Sequence, residues 1–260
     1  LNLEIDLHLE HLGNKPQLSQ LHLGGGSPTF FTDLELTALM AKVRKSFAMS
    51  PVSENSIEID PRTVNKGRLE YLRALGFNRL SFGVQDFDPE VQEAVHRIQP
   101  VDQVFNLVEE ARRLQFDSLN VDLIYGLPKQ NANSFAKTLV QIVELKPDRI
   151  ALYAYAHLPE KFKPQRRIST YALPTPIEKM TMLSMAITSL TEAGYVYIGM
   201  DHFALPSDDL AIAKRQGRLH RNFQGYSTQP ECDLVGLGVS SIGKVGATYS
   251  QNVKTLDEYY

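Results

Sequence analysis

The sequence has almost no cysteine, no tryptophan and no long apolar run. Its 260 residues contain one cysteine, Cys232, which excludes an internal disulfide framework and is typical of a reducing compartment. One thiol also excludes an all-cysteine metal or iron–sulfur site made by this chain alone. No apolar run approaches the length of a membrane span. We therefore expect a cytoplasmic protein without a metal site of its own and without a membrane partner.

Neither positive nor negative charge dominates the sequence. The net charge is −3 and the isoelectric point is near 6.2, which argues against a surface that binds nucleic acid through bulk charge. The hydrophobic fraction of 43% is enough for one large core. Leu1 already lies inside a helical pattern that continues through Leu3, Ile5 and Leu7, without a capping residue. We expect a monomer, and we expect the chain to be a fragment of a longer protein.

A glycine-rich turn is the most informative short stretch. Leu21 and Leu23 alternate as in a strand, and residues 24–26 are three glycines, followed by Ser27 and Pro28. Glycines are costly to order, so a strand keeps them where a ligand or another backbone comes very close. Exposed N–H groups of such a turn can bind a carboxylate, a phosphate or an amino-acid headgroup. A tight strand-to-helix turn without a ligand explains this stretch equally well.

Strand and helix patterns alternate through most of the chain, at a spacing of roughly 30 residues. This order predicts a parallel α/β sheet with right-handed crossovers, as in an open or partial barrel. The period is lost from Tyr195 onward, where aromatic, glycine and polar residues crowd together. We predict a partial barrel over residues 1–198 and an extension over residues 199–260 that covers the barrel mouth. The predicted strands before residue 176 are a strand ending near Leu23, then 56–60, 79–84, 118–125 and 149–155.

Polar residues fall at the ends of these predicted strands. They are Gly25, Glu58, Gln85, Asp122 and Ala156. Carboxyl ends of parallel strands form one rim, where ligands bind. An unpaired acid inside an apolar strand costs several kcal/mol, so either acid alone suggests a helix cap or an internal pair. Together they predict a polar pocket for a zwitterionic ligand that carries a ribose.

Other polar groups are weaker candidates. His96 and Arg97 read most simply as a solvated helix end. The basic residues of 161–167 suggest a solvated loop, or alternatively a clamp for carboxylates. Asp201–His202 and His220–Arg221 lack a third ligand at metal-binding spacing, so we predict no metal there. We find no Ser-His-Asp arrangement and no nucleotide P-loop.

Several blocks together resemble the radical S-adenosylmethionine (SAM) enzymes, in particular the oxygen-independent coproporphyrinogen III oxidases. The blocks are Leu-His-Leu-Gly-Gly-Gly-Ser-Pro-Thr (21–29), Ile-Glu-Ile-Asp-Pro-Arg (57–62), Gly-Phe-Asn-Arg-Leu-Ser-Phe-Gly-Val-Gln-Asp-Phe (76–87) and Asn-Val-Asp-Leu-Ile-Tyr-Gly-Leu-Pro-Lys-Gln (120–130). Gly-Met-Asp-His-Phe-Ala (199–204) and His-Arg-Asn-Phe-Gln-Gly-Tyr (220–226) distinguish that branch from its relatives. The resemblance implies a (β/α)6-type barrel that here lacks its first strand.

The resemblance also implies two bound SAM molecules. It assigns Gly25, Glu58 and Ile242 to the SAM that ligates a [4Fe–4S] cluster. The residues it assigns to the second SAM are Gly26, Ser27, Gln85, Arg97, Asp122 and Ala156, with Gln224 near the pair. The family's cluster-binding cysteine loop would precede the opening helix and is not in this sequence. We therefore expect no catalytic or metal-binding residue within this chain, and no activity from it alone.

The chemistry implied for the complete protein is oxidative decarboxylation in heme synthesis. A 5′-deoxyadenosyl radical would remove hydrogen from two substrate propionates and convert coproporphyrinogen III to protoporphyrinogen IX, with electrons from a reducing donor protein. Two alternatives stay open: a heme-trafficking relative that binds heme without decarboxylating it, and a scaffold that has lost the cluster loop.

The implied substrate carries four propionates, which bulk charge would not attract to a protein of net charge −3. Arg166, Arg167 and Arg221 are our candidates for a clamp that pairs with its carboxylates.

Overall fold

The computed structural model describes residues 1–223, 225–229 and 232–260. These residues form two compact units. The larger, here called the sheet unit, comprises His22–Phe30 and Asn55–Ile212. The smaller, here called the terminal unit, comprises Leu1–Leu21, Phe31–Glu54 and Ala213–Tyr260.

Helices and strands alternate through the first two thirds of the described chain. The helices are α1 (Asn2–Leu12), α2 (Asp33–Ser46), α3 (Lys66–Ala74), α4 (Pro89–Ala94), α5 (Val101–Arg113), α6 (Ala132–Leu145), α7 (Pro176–Glu192), α8 (Asp209–Arg215) and α9 (Leu256–Tyr259). The strands are β1 (Gln17–Leu23), β2 (Ala48–Ile59), β3 (Arg79–Gln85), β4 (Ser118–Tyr125), β5 (Arg149–Ala154), β6 (Val196–Gly199), β7 (His202–Ala204), β8 (His220–Asn222), β9 (Gly225–Ser227), β10 (Ile242–Val245) and β11 (Thr248–Gln251). Short 3₁₀ turns cover Pro28–Phe30, Lys163–Arg167 and Thr170–Ala172.

The main sheet has seven strands in the order β1-β2-β3-β4-β5-β7-β6. The pairs β2/β3, β3/β4 and β4/β5 are parallel, and β7 joins β5 and β6 in antiparallel fashion. The predicted α/β fold with parallel strands is confirmed. The sequence did not predict strands β6 and β7, because four and three residues are too few to show an alternating pattern. The predicted division at residues 198 and 199 stays a prediction.

One face of the parallel strands is apolar and buried. Residues Ile57 and Ile59 of β2, Leu80 and Phe82 of β3, Val121 and Leu123 of β4, and Ile150 and Leu152 of β5 are each at most 2% exposed. Burying each of these side chains stabilises the fold by about 1.5–3 kcal/mol relative to exposure. Because strand side chains alternate between faces, the residues between them lie on the opposite face, where the predicted polar positions are.

Helix ends match the capping chemistry of the sequence. Thr32 caps α2 with a capping box to Glu35. Thr175 caps α7 in the same way through Glu178, and α7 carries a proline in its first turn. None of the helices in the described residues combines the length and the apolar character that crossing a bilayer demands.

The terminal unit has a small core of its own. Ile5, Val43 and Phe47 are its buried centre. The predicted helix at the start of the chain is confirmed, but its predicted apolar face is wrong in extent, because Leu3 and Leu7 are 72% and 51% exposed. The Glu4 carboxylate accepts hydrogen bonds from the Gly238 backbone, the Asn252 amide and the Tyr259 hydroxyl. These bonds tie α1 to the last described segment of the chain.

Candidate functional site

The second face of the sheet unit is lined with polar side chains in rows across the strands. Glu58 on β2 is in register with Ser81 on β3, which is in register with Asn120 on β4. The next row runs from Gly83 on β3 to Asp122 on β4 and Ala151 on β5. Register partners point to the same side of a sheet, so these rows form one continuous polar surface. We call it the polar face.

The glycine turn after β1 approaches Glu58 closely. The Gly25 backbone N–H donates to Glu58 Oε2 at 3.1 Å, and Gly25 has a φ of 103°, which favours glycine. A Cβ at Gly24 would lie 2.4 Å from His22 Nε2 and 2.7 Å from Glu58 Oε1. Glycine is thus required at 25 for backbone conformation, whereas a Cβ at 24 would displace the ends of the His22 and Glu58 side chains. The Gly25 N–H thus holds the Glu58 carboxylate against the backbone of the turn.

Asp122 is the most perturbed acid of the polar face. Its carboxylate accepts from Asn120 Nδ2 at 2.8 Å and from Ser81 Oγ at 3.2 Å. Burial raises the pKa of Asp122 to about 6, and the nearby Glu58 charge acts in the same direction, whereas the two hydrogen bonds oppose it. The ionised carboxylate is therefore costly on this face. A ligand that supplies hydroxyl or ammonium donors would relieve that cost.

Arg97 lies on the polar face and is not a solvated helix end, so the simplest interpretation of its sequence context is wrong. Its Nη2 donates to the Gly83 carbonyl at 2.8 Å, and its side chain is only 23% exposed. Asp60 Oδ1 lies 3.4 Å from Arg97 Nη2, and Asp60 Oδ2 lies 2.7 Å from Arg62 Nη2. The Nε of Arg97 is buried and has no hydrogen-bond partner among the described residues. An orphaned donor of this kind is expected where a ligand completes the site.

Gln85 closes β3 in a left-handed conformation, with a φ of 67°. The register between β3 and β4 shifts between Gly83 and Gln85, which re-aims the end of the strand. A Cβ at Gly83 would lie 3.0 Å from Gln85 Nε2 and 3.1 Å from Arg97 Nη2. The glycine therefore allows an amide and a guanidinium to meet above one strand.

The other predicted SAM contacts are more scattered. Gly26 and Ser27 are exposed in the turn after β1, and Ala156 is exposed after β5, where its carbonyl accepts from Gln165 Nε2 at 3.0 Å. Ile242 begins β10 in the terminal unit. Gln224 lies outside the described residues. The structure thus brings Gly25 to Glu58 and Arg97 to Gln85, and it places Asp122 on the same polar face.

The three predicted clamp arginines are in different places. Arg166 is exposed and its Nε donates to the Pro159 carbonyl at 3.0 Å, and Arg167 lies in the same 3₁₀ turn. Arg221 belongs to the terminal unit, where its guanidinium lies over the Tyr226 ring at 5.9 Å. The clamp stays a prediction.

Sequence reasoning missed three residues of the polar face: His22, Ser81 and Asn120. His22 Nδ1 lies 2.8 Å from Ser56 Oγ, and its Nε2 lies 3.5 Å from Glu58 Oε1. The signal was present in β3 and β4, where polar or glycine residues alternate with apolar ones. A search for period two would have found Ser81 and Asn120.

No group of three or more His, Cys, Asp or Glu side chains in the described part of the chain is arranged to hold a metal ion. Cys232 is exposed and unpaired. An iron–sulfur cluster with three cysteine ligands therefore does not fit the residues of this sequence.

Comparison with known proteins gives one consistent result. The sequence profile of the Radical SAM superfamily matches residues 3–142. The chain is 50% identical over 258 residues to the oxygen-independent coproporphyrinogen III oxidase of Pseudomonas aeruginosa, covering 98% of this chain and 56% of that protein. It is 51% identical to the Escherichia coli enzyme of the same name over 243 residues, or 94% of this chain and 53% of that protein.

A solved structure agrees with these sequence matches. The fold superposes on the coproporphyrinogen III oxidase structure from Escherichia coli with a TM-score of 0.95 at 49% identity, covering 98% of this chain and 59% of that one. The chain thus spans somewhat more than half the length of the relatives it matches.

Proposed function

This chain belongs to the radical SAM superfamily, and from that premise we propose that it forms the barrel of an oxygen-independent coproporphyrinogen III oxidase. The strongest support is the identity of 50% over 258 residues with a protein of that name. The polar face is the second support, because its residues provide the donors and acceptors that a zwitterionic nucleoside requires.

SAM is the ligand that fits the polar face. The Gly25 N–H donates to Glu58, and that carboxylate can also accept from an ammonium group. Asp122 is suited to accept from ribose hydroxyls, and the buried Arg97 Nε lacks an acceptor among the described residues. These features give the carboxylate, the ammonium and the ribose of SAM a matching partner each.

Two SAM molecules per protein are part of the proposal. Gly25, Glu58 and Ile242 are assigned to the first. Assigned to the second are Gly26, Ser27, Gln85, Arg97, Asp122 and Ala156, and the resemblance adds Gln224, which lies outside the described residues. Gly25 with Glu58 is one cluster of contacts on the face, and Gln85 with Arg97 is another.

When bound and reduced by one electron from the donor protein, SAM would supply a carbon radical that removes a hydrogen atom from a propionate β-carbon; CO2 would then leave as one electron passes to an acceptor outside this chain, forming a vinyl group. The chain's own residues have a binding role. Glu58 holds the ammonium group of one SAM and Asp122 the ribose of the other, and the Gly83 carbonyl holds Arg97 in place. Fixed geometry of this kind accounts for much of the rate that enzymes gain by orienting reactants.

The cluster ligands and the electron source must come from outside the described part of this chain. The three-cysteine requirement does not fit a sequence with one cysteine, so we derive no step from a cluster held by these residues. We propose that the whole protein takes electrons from a reducing donor and acts on coproporphyrinogen III as a monomer.

An anaerobic turnover assay tests the proposed function. The cluster-loaded whole protein is mixed with coproporphyrinogen III, SAM and a reductant, and products are identified by mass spectrometry. Loss of two CO2 together with formation of 5′-deoxyadenosine is the expected result. Tight heme binding without any vinyl product would instead support the heme-trafficking alternative.

A further inference from the structure

One segment of the chain carries both Gln85 and Arg97. Strand β3 ends at Gln85, and the chain passes through α4 before it returns to β3 at Gln99, whose side-chain amide donates to a β3 carbonyl at 3.4 Å. We call residues 85–99 the β3 excursion. The amide of Gln85 and the guanidinium of Arg97 meet above one strand because the excursion brings them there. Contacts that close the excursion therefore set the distance between these two groups.

The Gln92 side chain, on α4, closes the β3 excursion. Its Oε1 accepts from the Gln99 backbone N–H at 2.8 Å, and its Nε2 donates to the Gln99 carbonyl at 2.9 Å. One side-chain amide thus pairs with both backbone groups of one residue, as a neighbouring strand would. The same Nε2 also donates to the Asp86 carbonyl at 2.9 Å. Gln92 therefore joins the start of the excursion to its end.

These bonds are shielded from water. Gln92 is 6% exposed, and Asp86 and Gln99 are 1% exposed each. The Asp86 carboxylate accepts from Thr138 Oγ1 at 2.7 Å, which anchors the start of the excursion to α6. Breaking a buried hydrogen bond leaves its partner unsatisfied at a full desolvation cost. The closed arrangement of the excursion is therefore strongly favoured.

Arg97 lies inside the closed segment, between Gln92 and Gln99. Its backbone N–H donates to the Gln92 carbonyl at 2.8 Å, and His96 before it is left-handed with a φ of 54°. A residue other than glycine keeps this conformation only where the surrounding structure holds it. From this backbone the guanidinium reaches the Gly83 carbonyl at 2.8 Å. Loss of the Gln92 amide would release the backbone that follows Arg97.

We propose that Gln92 is a positioning residue for the second SAM, because it closes the β3 excursion and so holds Gln85 and Arg97 at the separation that this ligand requires. The inference rests on the proposed function, which assigns both residues to the second SAM. Gln92 itself is bonded to backbone groups of the excursion and acts through them. The first SAM, assigned to Gly25 and Glu58 on other segments, does not depend on Gln92.

Two substitutions and one control separate positioning from general stability. Q92M keeps the length of the side chain and removes the amide. Q92E is the milder change, because it keeps the acceptor for the Gln99 N–H and, when its carboxyl is protonated, one donor as well. Y195F is the matched control, because Tyr195 is buried and its hydroxyl donates to the Pro147 carbonyl at 2.7 Å. Pro147 precedes β5, at the end of the strands opposite to the rim.

The test is calorimetric titration of SAM into the cluster-loaded whole protein, with urea unfolding of each variant alongside. The change that SAM causes in the EPR signal of the cluster identifies the first SAM, which the resemblance places on that cluster. We expect Q92M to weaken the second SAM about tenfold or more and to leave the first within about threefold of wild type. At about pH 6, where burial favours a protonated carboxyl, Q92E should lie between Q92M and wild type. Y195F should lose stability and bind both SAM molecules as wild type does.

Unchanged affinity for the second SAM in a folded Q92M would overturn the inference, and so would an equal weakening of both SAM molecules. If Q92M does not fold, the ratio of the two SAM affinities in Q92E decides in the same way. Either result leaves the proposed function intact. A wild-type protein that binds fewer than two SAM molecules would instead contradict the proposed function, and this inference with it.

Discussion

Replacing Asp122 with asparagine should stabilise the ligand-free chain while weakening its binding of SAM. The pKa of Asp122 is raised from 3.8 to about 6 because the carboxylate is desolvated on the polar face. A pKa difference of one between the folded and unfolded chains corresponds to about 1.4 kcal/mol, so the ionised carboxylate costs the fold at most about 3 kcal/mol. Asparagine has nearly the same shape and carries no charge.

The stability difference between D122N and wild type should change with pH in one direction. Below pH 3.8 the carboxyl is protonated in both folded and unfolded chains, and the cost is absent. Between that pH and about 6 the folded chain binds more protons than the unfolded chain, so stability falls as the pH rises. D122N should therefore match wild type near about pH 3 and exceed it at about pH 7 to 8.

Urea unfolding of this chain at a series of pH values measures the difference directly. D117N is the matched control, because Asp117 is an exposed aspartate just before β4 and its replacement should change little at any pH. A D122N variant that is less stable than wild type at neutral pH would refute the reasoning. Such a result would mean that the hydrogen bonds from Asn120 and Ser81 outweigh desolvation.

Three further predictions concern stability, each measured by urea or thermal unfolding. G24A should cost at most about 1 kcal/mol, because its Cβ would displace only the movable ends of the His22 and Glu58 side chains, and G26A, with nothing within 4 Å of its Cβ, should cost less; a larger loss in G26A than in G24A would contradict the close approach. Q130L should cost about 3 kcal/mol, because it removes the Gln130 partner from Oδ2 of the buried Asp86 carboxylate and from the Gly126 and Leu127 N–H groups; a neutral result would contradict this buried network. Hydrogen bonds lower the pKa of Glu4 although burial alone would raise it, so the stability from this residue is present above its ordinary pKa of 4.5 and lost as the pH falls. E4Q should remove about 1–3 kcal/mol at neutral pH and less at about pH 3, and a pH-independent loss would count against this account.

Periodicity along the chain predicted the parallel strands well. Strand β4 spans the predicted 118–125, and β3 and β5 each differ from the predicted bounds by one residue at the end. These elements are long and strongly patterned, so local sequence determines them. The β6 and β7 strands were missed because an antiparallel pair of four and three residues depends on its partner β5, which lies far away in sequence.

The candidate site was predicted in part. Glu58 and Asp122 stood out because acids are rare in apolar strands, and both lie on the polar face. The place of Arg97 could not be read from the sequence, because its burial depends on the close approach of Gly83 from another segment. In the sequence, the Asp201–His202 pair was considered only as a possible metal site, and none was predicted there. The register of His202 with Ala151 on the polar face becomes visible only in the structure.

Calorimetric titration of SAM into the cluster-loaded whole protein tests the central claim most directly. The account predicts two SAM molecules per protein, with E58A and D122A each weakening binding by about 10- to 100-fold, since each removes a charge-assisted hydrogen bond. The D117N control should bind as wild type does. Unchanged SAM affinity in E58A and D122A would contradict the account and would make the polar face a structural feature of the sheet.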